Sequence, residues 1–205
     1  MNYSKIKSYA KINLVLNVVG KTSLLHKIES IIAFVDLHDV IKIKRINSKK
    51  HDISFSGKFS ENISKKNTVS NLLEILKKKK LLNDEKFRIR INKRIPNKAG
   101  LGGGSMNAAS ILRYFIKNEI IKTNKKTING ISKLVGSDVI LGLNITNSIL
   151  DSSNKIKHFK KCKKFYTLIV KPNFGCSTKE IYSKVKKFDK PKIKKPLKSM
   201  FDLNY

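Results

Sequence analysis

The stretch from Phe87 to Lys117 constrains this chain more than any other. Phe87-Arg88-Ile89-Arg90-Ile91 alternates apolar and charged residues with the two-residue period of a half-buried strand. From Ser105 to Lys117 the apolar residues Ala108, Ala109, Ile111, Leu112, Phe115 and Ile116 recur at helical spacing. Between the two lies Ile95-Pro96-Asn97-Lys98-Ala99-Gly100-Leu101-Gly102-Gly103-Gly104-Ser105, which holds four of the chain's 10 glycines. Glycine admits positive φ and leaves room for a ligand beside the backbone, so successive N–H groups can converge on an anion. The helix that follows adds its unsatisfied N–H donors and the positive end of its dipole. The order strand, glycines, serine, helix predicts a phosphate-binding loop, since a flexible connector would not need it. The loop is not a Walker A motif, because no Gly-Lys-Ser/Thr closes it, nor a Gly-x-Gly-x-x-Gly turn with a downstream acidic ribose ligand.

Around this segment the patterning is mixed. Alternation predicts strands over Ile12–Val19, Val40–Ile46, His51–Ser56 and Phe165–Val170. Asn67-Thr68-Val69-Ser70 supplies capping residues ahead of Leu72, Leu73, Ile75 and Leu76, which predicts a helix over Val69–Lys80; Thr127–Val135 and Thr178–Lys187 are further helices. That order gives an α+β fold, with helices covering one face of a mostly antiparallel sheet. Lys186–Lys198, with Pro191 and Pro196 among lysines, reads as a linker.

The chain has 205 residues and a formal charge of +31. A basic balance of this size points first to nucleic acid. The counts supply another cause: 40 Lys, 27 Ile and 19 Asn are the residues of A/T-rich codons, whereas Arg, the residue suited to bidentate phosphate and base contacts, numbers 5. The lysines are dispersed among apolar positions and loops, so a solvated basic surface is expected rather than a dedicated nucleic-acid partner. Apolar runs such as Ser30–Val35 and Val139–Leu143 are far shorter than the roughly 20 residues of a membrane span. Patterned sequence begins by Tyr9, ahead of the roughly 15–30 residues that a leader needs, so a cytoplasmic location is expected. Cys162 and Cys176 are too few for a disulfide framework or a zinc site, and each reads as a free buried thiol.

Ile95-Pro96, Gly100-Leu101-Gly102-Gly103-Gly104-Ser105 and Ala108-Ala109 together resemble the glycine motif of the GHMP kinases, which wraps the phosphates of ATP. The resemblance extends to Tyr9-Ala10-Lys11-Ile12-Asn13-Leu14, His26-Lys27-Ile28-Glu29-Ser30 with Asp36-Leu37-His38-Asp39, Gly136-Ser137-Asp138-Val139, and Pro172 with Ser177-Thr178 and Tyr182. These segments are in the family's order and cover residues 9 to 182. The resemblance implies a GHMP kinase fold, with an N-terminal ATP-binding lobe over 1–155 and the start of an incomplete C-terminal lobe over 156–205. It implies ATP and Mg²⁺ as cofactors, and transfer of phosphate to the 2-hydroxyl of a methylerythritol unit joined to cytidine diphosphate.

It also implies roles for single residues. Asp138 is the base and Lys11 the cation that keeps it ionised, although an Asp after Gly-Ser is by itself equally a turn residue or a helix cap. Pro96, Gly100, Leu101, Gly102, Gly103, Gly104 and Ser105 hold the phosphates of ATP, with Ser105 also suited to capping its helix. Asn13, His26 and Tyr182 bind the substrate, Tyr182 by stacking on cytosine. Asn67 and Lys93 are weaker matches on the ATP side. Departures from the pattern are Leu24-Leu25 in place of Gly-Tyr, Met106 in place of Ser, Asn107 in place of Asp and Ile140 in place of Pro. Another small-molecule GHMP kinase, or a basic nucleic-acid-binding protein with a non-catalytic kinase-like fold, are the alternatives.

Overall fold

Strand β4 (Lys86–Asn92) buries Phe87, Ile89 and Ile91 and turns Arg88 and Arg90 outward, as its alternation predicts. In the computed structural model, which describes residues 2–23, 26–172 and 174–202, the chain divides into two compact units. The first comprises Met1–Ala10, Asp36–Asn97 and Gly102–Asn144, the second Lys11–Val35, Lys98–Leu101 and Ile145–Tyr205. Two long strands, β1 (Ser4–Lys21) and β2 (His26–Ile46), pair with each other and contribute residues to both. Each runs well beyond the predicted Ile12–Val19 and Val40–Ile46, because half-buried strand residues need no strict alternation once a neighbour supplies the ladder.

In the first unit the C-terminal half of β2 pairs antiparallel with β4, setting Ile41 opposite Ile91 and Ile43 opposite Ile89. β3 (Asp52–Ser56) adds to the other edge of β4 in parallel register. The apolar side of these strands is covered by α1 (Thr68–Lys78), α2 (Gly103–Lys117) and α3 (Lys125–Val135), through Val69, Leu72, Leu73, Leu76, Ile111, Leu112, Phe115, Ile131 and Val135. Fully burying each of these larger side chains contributes about 1.5–3 kcal/mol. Asn67 caps α1: its Oδ1 accepts from Val69 N (3.0 Å) and Ser70 N (3.1 Å), and Ser70 Oγ accepts from Asn67 N (2.9 Å). A short α4 (Val139–Gly142) completes the unit, packed so tightly that a Cβ on Gly142 would lie 2.6 Å from Ala109 Cβ and 2.9 Å from Met106 Sδ.

In the second unit the N-terminal half of β2 pairs antiparallel with β5 (Asn147–Leu150), which turns into β6 (Ile156–Phe159). Asp151 closes that turn, its Oδ1 accepting from Ser153 N and Lys155 N, each at 2.9 Å. Ile31, Ile149, Ile193 and Phe201 form a small buried cluster.

Four expectations are corrected here. Phe165–Val170 is not a strand: Tyr166, Leu168 and Val170 are exposed, and an alternating segment without a hydrogen-bonded neighbour does not hold an extended ladder. The helix from Thr178 ends at Ser183 rather than Lys187. Lys186–Lys198 is anchored, not a linker, since the buried Glu29 carboxylate accepts from Lys192 N (2.9 Å) and Ile193 N (3.1 Å). Cys176 is an exposed thiol and Cys162 a partly buried one.

Candidate functional site

The glycine loop forms with the backbone its composition predicts. Gly100 and Gly102 have φ of 73° and 69°, in the region that side chains disfavour, and Gly102 is the residue from which α2 starts, with Met106 N donating to its carbonyl. Gly103, Gly104 and Ser105 are thus the first turn of α2, whose N–H groups have no acceptor within the helix. Ser105 is inside the helix and does not cap it, contrary to that expectation. Two further contacts explain why glycine stands at both preceding positions. A Cβ on Gly103 would lie 3.1 Å from Ile95 Cγ2 and 3.2 Å from Lys93 Nζ, and one on Gly104 would lie 3.0 Å from Thr68 Oγ1, which donates to the Gly104 carbonyl.

Upstream, a buried carboxylate holds the approach to the loop. Asp39 Oδ2 pairs with the Lys93 ammonium, and Asp39 Oδ1 accepts from Arg94 N (2.7 Å) and Ile95 N (2.9 Å). Both side chains are almost wholly removed from solvent. Lys93 therefore neutralises Asp39 beneath Gly103, and Asn67 caps α1. Each of these two weaker matches has a structural task.

Asp138 immediately precedes α4 and makes no capping hydrogen bond to it, so capping that helix is not its task. The packing of Gly142 on Met106 and Ala109 brings α4 against the first turns of α2, and a Cβ on Gly136 would lie 3.6 Å from Ser105 Oγ. Met106, buried at that contact, fills the space between the two helices. The first unit thus gathers Gly102–Ser105 and Asp138.

Pro96 also belongs to the first unit, and the second contains Lys11, Asn13, His26, Gly100, Leu101 and Tyr182. Lys11 N donates to the Leu101 carbonyl (3.1 Å), which ties β1 directly to the glycine loop, and Lys11 itself is 7% exposed. Its Nζ donates to Asn13 Oδ1 at 2.7 Å, and Asn13 Nδ2 donates to Ser30 Oγ at 2.7 Å. His26 stacks on Tyr182 with ring centroids 5.1 Å apart and planes 22° from parallel, and Phe188 approaches His26 at 6.3 Å. Cys176 N donates to the Lys98 carbonyl, which brings the segment before α5 (Thr178–Ser183) alongside the start of the loop. Leu24 and Leu25 lie outside the described residues, as does the terminal Leu203-Asn204-Tyr205.

Sequence patterning did not single out Asp39, Ser30, Glu29 or Phe188 by any chemical role. Asp39 and Ser30 are small polar residues within largely apolar runs, a signal that marks a satisfied buried group without telling which backbone it serves. Among the described residues no group of three or more His, Cys, Asp or Glu side chains is placed to hold a metal ion. The backbone N–H groups at the loop suit phosphate rather than a metal, and the Ser105 hydroxyl is an oxygen beside them, so a cation there would take most of its ligands from phosphate and water, as Mg²⁺ does. No helix among the described residues is long and apolar enough to cross a membrane.

The architecture is that of the GHMP kinases. Residues 67–150 match the family described as GHMP kinases N terminal domain. A crystal structure of 4-(cytidine 5'-diphospho)-2C-methyl-D-erythritol kinase superposes with a TM-score of 0.60 at 22% identity, covering 76% of this chain and 55% of that one. Mevalonate pyrophosphate decarboxylase from Streptococcus pyogenes superposes with a TM-score of 0.57 at 12% identity, covering 78% of this chain and 51% of that one. The chain belongs to the 4-diphosphocytidyl-2-C-methyl-D-erythritol kinase family: it is 58% identical over all 205 residues to that kinase of Pelagibacter ubique, spanning 73% of it, and 34% identical over 209 aligned positions to that of Clostridium tetani, spanning 72% of it.

Proposed function

We propose that this kinase transfers the γ-phosphoryl group of ATP to the 2-hydroxyl of 4-diphosphocytidyl-2-C-methyl-D-erythritol, in the cytoplasm, as a step of isoprenoid precursor synthesis. The observation that carries the substrate is the 58% identity, over all 205 residues, to a relative of that name.

Phosphoryl transfer asks a protein chiefly for positioning and charge neutralisation, with one group to orient or deprotonate the acceptor. The N–H groups of Gly103–Ser105 and the dipole of α2 cradle the β- and γ-phosphates, and Pro96 with Gly100–Gly102 shapes the approach to them. Asp138 accepts the proton of the 2-hydroxyl. Lys11, its ammonium held by Asn13 Oδ1, is the cation that holds the attacking oxygen. Ser105 Oγ would be the chain's own ligand to a Mg²⁺ bound with ATP, which would supply charge neutralisation of the phosphates. His26, Tyr182 and Asn13 bind the cytidine and erythritol ends of the acceptor, the two stacked rings supplying an aromatic wall for the base.

The test is kinetic. Asp138→Asn and Lys11→Ala lower the transfer rate by about 10²–10⁴-fold, the range for a positioned acid or base, while ATP binding stays near wild type. Retained turnover in Asp138→Asn makes that carboxylate structural and removes it from the mechanism.

A further inference from the structure

We infer that Ser30 is a positioning residue for the transfer, acting on Lys11 through Asn13; the inference rests on the catalytic reading of Lys11 proposed above. Ser30 is on β2 and is wholly buried. Its hydroxyl carries one hydrogen, which is donated to the Val15 carbonyl on β1 at 2.7 Å. Ser30 Oγ can therefore only accept from Asn13, and Asn13 Nδ2 donates to it at 2.7 Å. That fixes the carboxamide: with Nδ2 toward Ser30, Oδ1 faces the Lys11 ammonium, 2.7 Å away. The flipped amide would set two donor groups against each other at Lys11 and a carbonyl against an oxygen with no proton left to give. Val15, Ser30, Asn13 and Lys11 thus form one chain of hydrogen bonds whose direction is set at its buried end.

Removing the Ser30 oxygen frees the amide to rotate, and the ammonium loses Asn13 Oδ1 as a fixed acceptor. The chain of hydrogen bonds runs through the side chains of Ser30, Asn13 and Lys11, whereas Lys11 meets the glycine loop through its backbone N–H to the Leu101 carbonyl, which Ser30→Ala leaves in place, so kcat falls while the KM for ATP does not move.

The experiment uses the full 205-residue chain with ATP and the cytidine-linked acceptor, and compares Ser30→Ala, Ser30→Thr, Asn13→Ala, Lys11→Ala and the Ser30→Ala/Asn13→Ala double variant. In parallel, the side-chain NH₂ of Asn13 is followed by NMR in ¹⁵N-labelled protein. The expected result is a kcat lower by roughly tenfold in Ser30→Ala, an unchanged KM for ATP, recovery in Ser30→Thr, and no further loss when Ser30→Ala is added to Asn13→Ala. The Asn13 NH₂ protons exchange slowly with solvent in the wild type and in Ser30→Thr, and rapidly in Ser30→Ala. Ser30→Cys, whose sulfur is a weak acceptor, repeats the comparison where the alanine variant does not fold. Full kcat in Ser30→Ala alongside lost kcat in Asn13→Ala and Lys11→Ala overturns the role of Ser30 and leaves the catalytic reading standing. Full kcat in Lys11→Ala and Asn13→Ala overturns the catalytic reading, and the inference falls with it.

Discussion

Asp39 and Lys93 form a buried ion pair directly before the glycine loop, and the same carboxylate takes the N–H groups of Arg94 and Ile95 at 2.7 and 2.9 Å. One side chain therefore neutralises a buried ammonium and fixes the backbone that enters the glycine loop. Breaking a buried pair from one side leaves an uncompensated charge, at a cost of about 3–5 kcal/mol. Asp39→Ala is expected in that range by urea unfolding, because it strands Lys93 and two backbone donors together. Lys93→Met costs less, since Asp39 keeps its two N–H partners. Equal losses in the two variants would mean that the backbone bonds add nothing to the pair.

The glycine positions separate space from conformation. Gly103→Val places a branched side chain against Ile95 and Lys93 and over the first turn of α2, so ATP affinity is expected to drop by more than tenfold with the far-UV circular dichroism close to native. Gly100→Ala meets nothing within 4 Å, yet its φ of 73° makes alanine strained by about 1–2 kcal/mol. Its effect is expected on the melting temperature first and on ATP binding only secondarily. An ATP affinity unchanged in Gly103→Val would move the phosphate site away from α2.

Glu29 holds the basic segment near the end of the second unit. Each of its oxygens accepts one backbone N–H, from Lys192 and Ile193, and Glu29→Gln turns one acceptor into a donor facing a donor. A buried polar mismatch of this kind costs about 1–3 kcal/mol. Trypsin is expected to cut within Lys190–Lys198 faster in Glu29→Gln than in wild type, a difference visible by mass spectrometry. Equal cleavage rates would show that Ile193 and Phe201 hold the segment by burial alone.

Asp52 on β3 meets Arg90 at 2.7 and 2.9 Å and Arg88 at 2.6 Å, and these hydrogen bonds hold its carboxyl below the usual carboxylate range. A carboxyl depressed in the folded state stabilises the fold above its unfolded pKa, and the contribution is lost as pH falls through the folded one. Wild type is thus expected to melt above Asp52→Asn at neutral pH by a small margin, as befits partly exposed groups, and the margin closes at strongly acid pH. A margin that persists in acid would show that packing, not charge, distinguishes the two.

The parts of the fold that were legible are those in which local pattern and packing agree. Phe87, Ile89 and Ile91 alternate and are buried, Asn67 and Ser70 cap α1 as a pair, and Gly100 and Gly102 adopt the positive φ that their cluster suggests. The strand pattern of Phe165–Val170 misleads because strand formation is decided by a neighbour, and in the second unit β2 pairs with β5 and β5 with β6. That hairpin consists of two four-residue strands, too short for periodicity to register, and its best signal was the turn Asp151-Ser152-Ser153-Asn154. At the site, resemblance named Lys11, Asn13, His26 and Tyr182, and the second unit brings the first two together and the last two together. Asp39 and Ser30 could not be read in this way, because what each does depends on which backbone groups lie opposite it.

Acceptor selectivity decides whether this chain phosphorylates a cytidine-diphosphate-linked methylerythritol. The purified chain is incubated with ATP, Mg²⁺ and, in separate reactions, 4-diphosphocytidyl-2-C-methyl-D-erythritol, mevalonate, homoserine and galactose, with products followed by ³¹P NMR. A new phosphomonoester resonance is expected with the first acceptor only, and is expected to be lost in Asp138→Asn. Transfer to an acceptor that lacks cytidine, in preference to the first, would overturn the proposed activity.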